Sequence, residues 1–426
     1  MQIKMLHSLS KDVQRGLKNS LYLTVANIVT TLITLVGFVY IPNRLGAHDY
    51  GIYTLALSFV ALFHIFGFGG LSKVVIRESI LNRSELERML NRLFNFKLLV
   101  ALLQIVTIIV VALLIPNYDQ EILMVIILAS HVMLFRGLKL IPSSILQAHE
   151  KIETLAKINV THSLLRVFGI VGILFVVNDL MLIMYYMTFI NLLFIYIYYR
   201  SMRTVMEYKF SINLKQSTIL MKFFKQGMVF TLLAIGGVLS TKIDLFMLSL
   251  MSSIEDVAIY GLSEKIIAQF EMLRGAILTA FYPIVIKHFK SKKIQLKTLY
   301  LISGAIFGVS LLLTLVYALF AHDIISFLYH DAYAQTIDVS IVLAFYLVFF
   351  FANLPFSTAI QSVGLEKYIL YMYPFSIALN VLLNYFLFDR MGVVGLAYST
   401  LIVQAFMLAF ITLMGHYQLK QKGFTQ

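Results

Sequence analysis

Residues 241–274 read TKIDLFMLSLMSSIEDVAIYGLSEKIIAQFEMLR. Two apolar runs flank the turn at Ser252–Asp256, and each is on the scale of the roughly 20 residues that cross a bilayer as a helix. Yet Lys242, Asp244, Glu264, Lys265, Glu271 and Arg274 lie inside them. A charge at the centre of a membrane helix costs about 2.5–3.5 kcal/mol on insertion scales. Side chains that expensive do not face lipid; they line a polar interior or pair with one another. Glu264, Glu271 and Arg274 fall at i, i+7 and i+10, one helical face. Lys265 points about 100° away, and Asp244 is its expected partner.

Outward from this stretch the pattern repeats. Of 426 residues, 60% are hydrophobic and only 13% charged, a balance that predicts an all-α polytopic membrane protein. About twelve apolar runs of spanning length recur, from 20–41 and 50–71 through 228–251 and 257–283 to 395–415. Basic residues cluster in alternate loops; among the loops on the opposite side only Arg44 and Arg390 are basic. By the positive-inside rule both termini are cytoplasmic and the number of spans is even. Positive-inside bias also accounts for most of the net charge of +13, with anionic headgroups as its partner and no need for nucleic acid. Cysteine is absent, which removes disulfides and thiol nucleophiles. No cleavable signal precedes Asn19, so the first span is expected to act as an uncleaved anchor.

The expected organisation is an N-terminal six-helix lobe over 1–199, a cytoplasmic linker over 200–227 and a C-terminal six-helix lobe over 228–426. In the linker, Ile219, Leu220, Phe223 and Phe224 interleave with Lys215, Lys222 and Lys225, a pattern that suits an interfacial helix or a solvated basic loop. External loops are short, the longest being expected near 321–337. An internal repeat supports two halves. His48-Asp49-Tyr50-Gly51-Ile52-Tyr53-Thr54-Leu55 and Glu255-Asp256-Val257-Ala258-Ile259-Tyr260-Gly261-Leu262 share Asp, Ile, Tyr and Leu at a shift of 207 positions. Tyr118 and Tyr333 give a second echo.

The charges inside the other spans are Arg136, Lys139 and Arg166. Arg136 and Lys139 are three apart and share a face; His162 and Arg166 are four apart and do the same. Inside the spans, basic residues outnumber acidic ones six to three, which points to anionic cargo. Arginine offers phosphate a bidentate fork that lysine lacks. We therefore take Arg136, Lys139, Arg166, Lys242 and Arg274 as candidate substrate-binding residues. Their structural alternative is pairing with carboxylates or, for Lys139, reaching the cytoplasmic interface. Asp244, Glu264 and Glu271 are candidates for binding a coupling ion, H+ or Na+; their alternative is a permanent charge pair between helices. His64, His131 and His162 lack the carboxylate pattern of a zinc site, so no metal cofactor is expected.

Several local patterns resemble the Wzx-type oligosaccharide-lipid flippases, of the polysaccharide-transport branch of the MOP superfamily. They are Ile41-Pro42-Asn43-Arg44-Leu45-Gly46-Ala47-His48-Asp49-Tyr50-Gly51 at the first external turn, and Phe66-Gly67-Phe68-Gly69-Gly70 with Arg77-Glu78 after the second span. Thr241-Lys242-Ile243-Asp244 with Val257-Ala258-Ile259-Tyr260, and Asn380-Val381-Leu382-Leu383-Asn384-Tyr385 with Met391-Gly392-Val393-Val394-Gly395, complete them. The resemblance implies two six-helix lobes around a central cavity and transfer of an undecaprenyl-diphosphate-linked oligosaccharide from the inner to the outer leaflet of a bacterial cytoplasmic membrane. It implies alternating access coupled to a cation gradient, with O-antigen, capsule or another surface polysaccharide as destination. It places membrane lipids, a polysaccharide polymerase and a chain-length regulator among the partners, and a monomer as the working unit. Two other classes are open. A MATE-like cation-coupled antiporter shares the helix count. A polymerase or ligase shares the hydrophobicity, but such enzymes usually carry a large external loop, which is not expected here.

Overall fold

The computed structural model describes residues 11–63, 71–81, 83–206, 218–271, 295–329 and 331–421. Among them there is helix and no strand. In a bilayer every backbone N–H and C=O needs a partner within the chain, and a helix supplies them all locally. In chain order the helices are α1 (Lys11–Phe63), α2 (Leu71–Leu81), α3 (Arg83–Leu113), α4 (Gln120–Ala129), α5 (His131–Ala148), α6 (Ile152–Val176) and α7 (Leu180–Met202). They are followed by α8 (Thr218–Met251), α9 over residues 254–271, α10 (Leu296–Leu328), a 3-10 turn (Asp331–Tyr333), α11 (Thr336–Ala352), α12 (Leu354–Ser362), α13 (Glu366–Met391) and α14 (Val393–Gln421). Nine helical stretches among the described residues are long and apolar enough to cross a membrane.

The described parts of the twelve expected runs fall almost wholly on these helices, with breaks the periodicity does not mark; residues 64–70 of the run 50–71 and 272–283 of the run 257–283 lie outside the described residues. The run 20–41 and residues 50–63 of the next lie on α1, which breaks at Gly46 with φ 77 and ψ 173. That backbone region is essentially closed to a side chain, so glycine is what permits the sharp turn. The run 120–147 is split at Ser130 into α4 and α5, and 337–360 is split at Asn353, where Pro355 opens α12. The stretch 321–337, expected as the longest external loop, is instead the last turns of α10, the 3-10 turn and the start of α11. A helical reading was available there, since Ile324, Ile325 and Leu328 continue the α10 periodicity. Of the expected linker, residues 207–217 lie outside the described residues, and 218–227 form the first turns of α8.

By internal contacts the chain divides into two compact units. One comprises Met1–Leu45 and Phe59–Ala234; the other comprises Gly46–Ser58 and Ile235–Gln426. The short segment 46–58 therefore packs with the C-terminal half. In the first unit, α5 packs on α2, α3 and α7, and Leu71, Val75, Leu93, Phe94, Ile141 and Ile145 are buried between them. In the second, α11 with α12 is the central element, 72% buried over its most apolar window, against 17% for α10. Leu312, Leu313 and Leu319 of α10 are exposed, as suits a helix whose apolar surface faces hydrocarbon.

The internal repeat has a physical counterpart inside the second unit. His48 and Glu255, 207 positions apart, are joined by a hydrogen bond of 3.0 Å at Nδ1. Thr54 and Gly261, related by the same shift, also meet, since a Cβ on Gly261 would collide with the Thr54 methyl. Gly51 lies against the Ile254 carbonyl so closely that it has no room for a side chain either. Equivalent positions touching each other are what a local two-fold axis between the two turns produces. Tyr333 of the second echo is buried edge-on to Tyr50, ring centroids 6.2 Å apart.

Candidate functional site

In the second unit, Asp244 of α8 is 2% exposed, and among the described residues its hydrogen-bond partners are neutral. Its Oδ1 accepts from Asn384 Nδ2 of α13 at 2.8 Å. Its Oδ2 accepts from Thr400 Oγ1 of α14 at 2.7 Å and from Tyr260 OH of α9 at 2.8 Å. Asn384 gives its second amide hydrogen to Asn380 Oδ1 at 3.1 Å, one turn away on the same helix. This leaves Asn384 Oδ1 buried with no hydrogen-bond partner among the described residues. A buried amide oxygen without a donor costs about 1–3 kcal/mol, so a fold that keeps one beside a carboxylate calls for an explanation. Of this cluster Asp244, Tyr260, Asn380 and Thr400 line a cavity of about 90 Å³, together with Glu264, Glu271, Ser376 and Gln404. That is room for a few waters or one hydrated cation and far too little for a sugar chain.

The oxygens that converge here form a hard donor set, the kind that suits a hard cation rather than a soft metal. A single carboxylate balances a single positive charge. Among the described residues there is no group of three or more His, Asp or Glu placed to hold a metal ion; the donors at Asp244 are mainly amide and hydroxyl oxygens instead.

The remaining candidates in this unit separate. Lys242 Nζ donates to Glu264 Oε1 at 2.5 Å, tying α8 to α9, with about a quarter of each side chain exposed. Glu271 faces the same cavity as Glu264, as the i, i+7 spacing predicts. Arg274 lies outside the described residues. Lys265 does not pair with Asp244. Its Nζ donates instead to Tyr50 OH at 2.9 Å and sits over the Tyr50 and Tyr53 rings, 4.6 and 5.4 Å from their centroids. The reason is the angular offset on α9: Lys265 faces the segment 46–58, which packs on that side, and two tyrosine faces stabilise an ammonium there.

In the first unit, α5 and α6 carry Arg136, Lys139 and Arg166. They lie near enough for their charges to repel one another. Among the described residues no carboxylate pairs with any of the three. Lys139 Nζ lies over the rings of Phe135 and Tyr198, 5.1 and 5.2 Å from their centroids. Beside them runs a buried polar chain across α5, α7 and α6. Asn191 Nδ2 donates to His131 Nε2 at 2.7 Å, and Asn191 Oδ1 faces His162 Nε2 at 3.0 Å.

Sequence reasoning missed Asn380, Asn384, Thr400 and Tyr260 as site residues. The signal was present, because two asparagines one turn apart in an apolar run share a face and are expensive in lipid. Asn191 was missed for the opposite reason, since a lone asparagine carries no spacing to read.

The comparisons with known proteins agree with this architecture. The sequence pattern of the family described as "polysaccharide biosynthesis protein" matches residues 16–289, and that of the MatE family matches 231–386. No curated protein gives a significant sequence match. Among solved structures, the lipid II flippase MurJ in an inward closed conformation superimposes with a TM-score of 0.68 at 16% identity, over 91% of this chain and 86% of that one. An inward-facing multidrug resistance MATE transporter of the MOP superfamily gives 0.69 at 16% identity, over 95% and 98%. A MOP-superfamily transporter from Pyrococcus furiosus, whose binding pocket is described as reversed in polarity, gives 0.57 at 14%, over 96% of each chain. These identities speak for the fold alone; the family match, which spans well over half of the residues, speaks for kinship. The chain is a multi-pass membrane protein with the fold of MOP-superfamily transporters, and it belongs to the polysaccharide biosynthesis protein family.

Proposed function

We propose that the chain is a flippase that moves an undecaprenyl-diphosphate-linked oligosaccharide from the inner to the outer leaflet of the bacterial cytoplasmic membrane, with both termini cytoplasmic. The observation that carries this reading is the cluster of Arg136, Lys139 and Arg166, three cations in membrane-spanning helices with no carboxylate partner among the described residues. A lipid diphosphate needs compensating positive charge to cross hydrocarbon, and unpaired arginines supply it with matching geometry. Kinship with polysaccharide biosynthesis proteins supports the same cargo class. In this reading Asp244 binds the coupling cation, H+ or Na+, with Asn384 Oδ1 and Asn380 Oδ1 as neutral ligands for sodium. Glu264 and Glu271 line the approach.

The test is to delete the gene in its host and measure lipid-linked oligosaccharide in each leaflet. Build-up on the inner leaflet, relieved by the wild type but not by Arg166→Ala, is the expected result. A second reading, a MATE-like antiporter of organic cations, is favoured by the acidic cavity of the second unit and by the MatE match over 231–386. An unchanged glycolipid distribution combined with drug hypersensitivity in the deletion strain would replace the first reading by the second.

A further inference from the structure

The buried polar chain of the first unit has one atom left over. His131, His162 and Asn191 are 6%, 8% and 5% exposed. Asn191 Nδ2 can only donate, so His131 Nε2 accepts and the His131 proton sits on Nδ1, which faces the Leu128 carbonyl. Asn191 Oδ1 can only accept, so His162 Nε2 carries a hydrogen. Every polar atom of the chain is thereby assigned except His162 Nδ1, which makes no hydrogen bond among the described residues.

The surroundings of His162 are one-sided in charge. On its own helix Arg166 follows one turn later, and Lys139 of α5 acts on it as well. The Phe135 ring, over which Lys139 sits, stacks on the imidazole at 4.8 Å, and Phe194 meets it edge-on at 4.7 Å. From α5, Arg136 acts on Arg166 and Lys139, and His131 reaches the ring through Asn191. From α7 the facing groups are Asn191 and Tyr198, whose hydroxyl donates to Asn159 Oδ1. From α1, Arg44 is engaged by the Leu174 carbonyl at 3.0 Å. Among the described residues no acid faces the ring.

We propose that His162 is the proton-linked member of this anion site: Nδ1 takes a proton from water as a diphosphate diester binds to Arg136, Lys139 and Arg166, and returns it when the ligand leaves. The inference rests on the cationic-site reading above. A fourth positive charge beside three is opposed by Coulomb repulsion in a poorly screened interior. A bound anion reverses that field, and the new N–H can donate to it. One N–H bond forms, and no bond of the ligand breaks. By linkage, a ligand that favours protonation binds more tightly where protons are abundant. Each bound cargo molecule then carries a proton with it, separately from any ion held at Asp244.

The probe is farnesyl-diphospho-N-acetylglucosamine, a diphosphate diester with no oxygen that titrates near neutrality. It is titrated calorimetrically into the purified full chain in nanodiscs between pH 6 and 8, in two buffers of different ionisation heat. We expect wild-type Kd to weaken by up to about tenfold per pH unit as the pH rises through the titration, with net proton uptake on binding. His162→Gln should bind with a pH-independent Kd and no uptake. Asn191→Asp, which places a carboxylate at Nε2 and holds the ring charged beforehand, should also lose the uptake while keeping affinity at high pH. Proton uptake equal in wild type, His162→Gln and Asn191→Asp, or absent from a wild type that binds, overturns the role of His162 and leaves the cationic site standing. Binding unchanged by Arg166→Ala, or no binding by the wild type, overturns the cationic site and this inference with it.

Discussion

Among the described residues, Arg136, Lys139 and Arg166 of the first unit stand together with no carboxylate, whereas Asp244 of the second stands with no cation and is held by Asn384, Thr400 and Tyr260. Lys242 and Glu264, a few residues from Asp244 in space, show what the alternative looks like: a direct ion pair. Such a pair neutralises itself and needs no ligand. The two unpaired clusters remain available, one for an anion and one for a cation. A buried carboxylate left without a counter-charge, as at Asp244, is costly, and so are Arg136, which is exposed, and Lys139 and Arg166, which are partly buried, on helices of membrane-spanning length; their retention marks where ligands supply what the protein does not. The ion pair, by contrast, marks a joint between helices.

This contrast can be broken by experiment. The largest effect should come from Asp244→Asn. It leaves a near-isosteric side chain but removes the cavity carboxylate that has only neutral partners among the described residues, and transport should fall about a hundredfold or more, on the scale of about 3–5 kcal/mol for disrupting a buried charged centre. Binding of a diphosphate probe to the same variant should be unchanged; a parallel loss of both would show that the clusters are not separate. Arg166→Ala comes next. It should abolish diphosphate binding and reduce transport by at least tenfold at normal membrane abundance, with the sodium or proton response of the protein retained. Arg166→Lys should recover only part of the binding, because a lysine offers no fork.

Gly46→Ala probes the fold rather than either cluster. Nothing lies within 4 Å of the added methyl, so the cost is backbone strain alone, about 1–3 kcal/mol, read as a lower melting temperature in detergent. A double-mutant cycle on Lys242→Met and Glu264→Gln should give a coupling energy of about 1 kcal/mol with transport largely kept. Complete loss of transport in either single variant would move the pair from joint to site.

The smallest effect concerns His48 and Glu255. Partial burial raises the Glu255 carboxyl, but hydrogen bonds from His48, from its own backbone N–H and from Ser253 outweigh this and hold it below the usual glutamate value. The group therefore contributes stability above the ordinary glutamate range, near pH 4.3, and the contribution is lost as pH falls through the lowered value. With both side chains about half exposed, Glu255→Gln should cost only a few tenths of a kcal/mol, visible as a flatter acid limb in the pH dependence of melting.

Much of this was legible in residue order. The helical class follows from the length and polarity of the apolar runs, because backbone hydrogen bonds in a bilayer admit little else. The repeat at a shift of 207 was visible as four matched residues, and the pairing of His48 with Glu255 is its physical trace. Asp244, Glu264 and Glu271 could be singled out because a charge in lipid is conspicuous. The partnership of Lys265 was misread. Helical geometry gives the direction a side chain leaves its helix but not what waits there, and the aromatic side chains that receive it come from residues more than two hundred positions away.

By itself the sequence determined what depends on local chemistry and on the solvent. That comprises the membrane-spanning helices, the glycine at the turn within α1 and the set of charges too expensive to face lipid. Only the tertiary structure decided how those charges divide into a self-neutralised pair, an unpaired cationic cluster and a carboxylate among neutral donors. It also decided that segment 46–58 joins the C-terminal unit and that Asn384 keeps an oxygen without a partner among the described residues. The physical reason is range. Helix formation and exclusion from lipid act on each run independently, whereas charge compensation depends on distances of a few ångströms between helices far apart in the chain. Those distances are set by packing, which the order of residues along one helix does not contain.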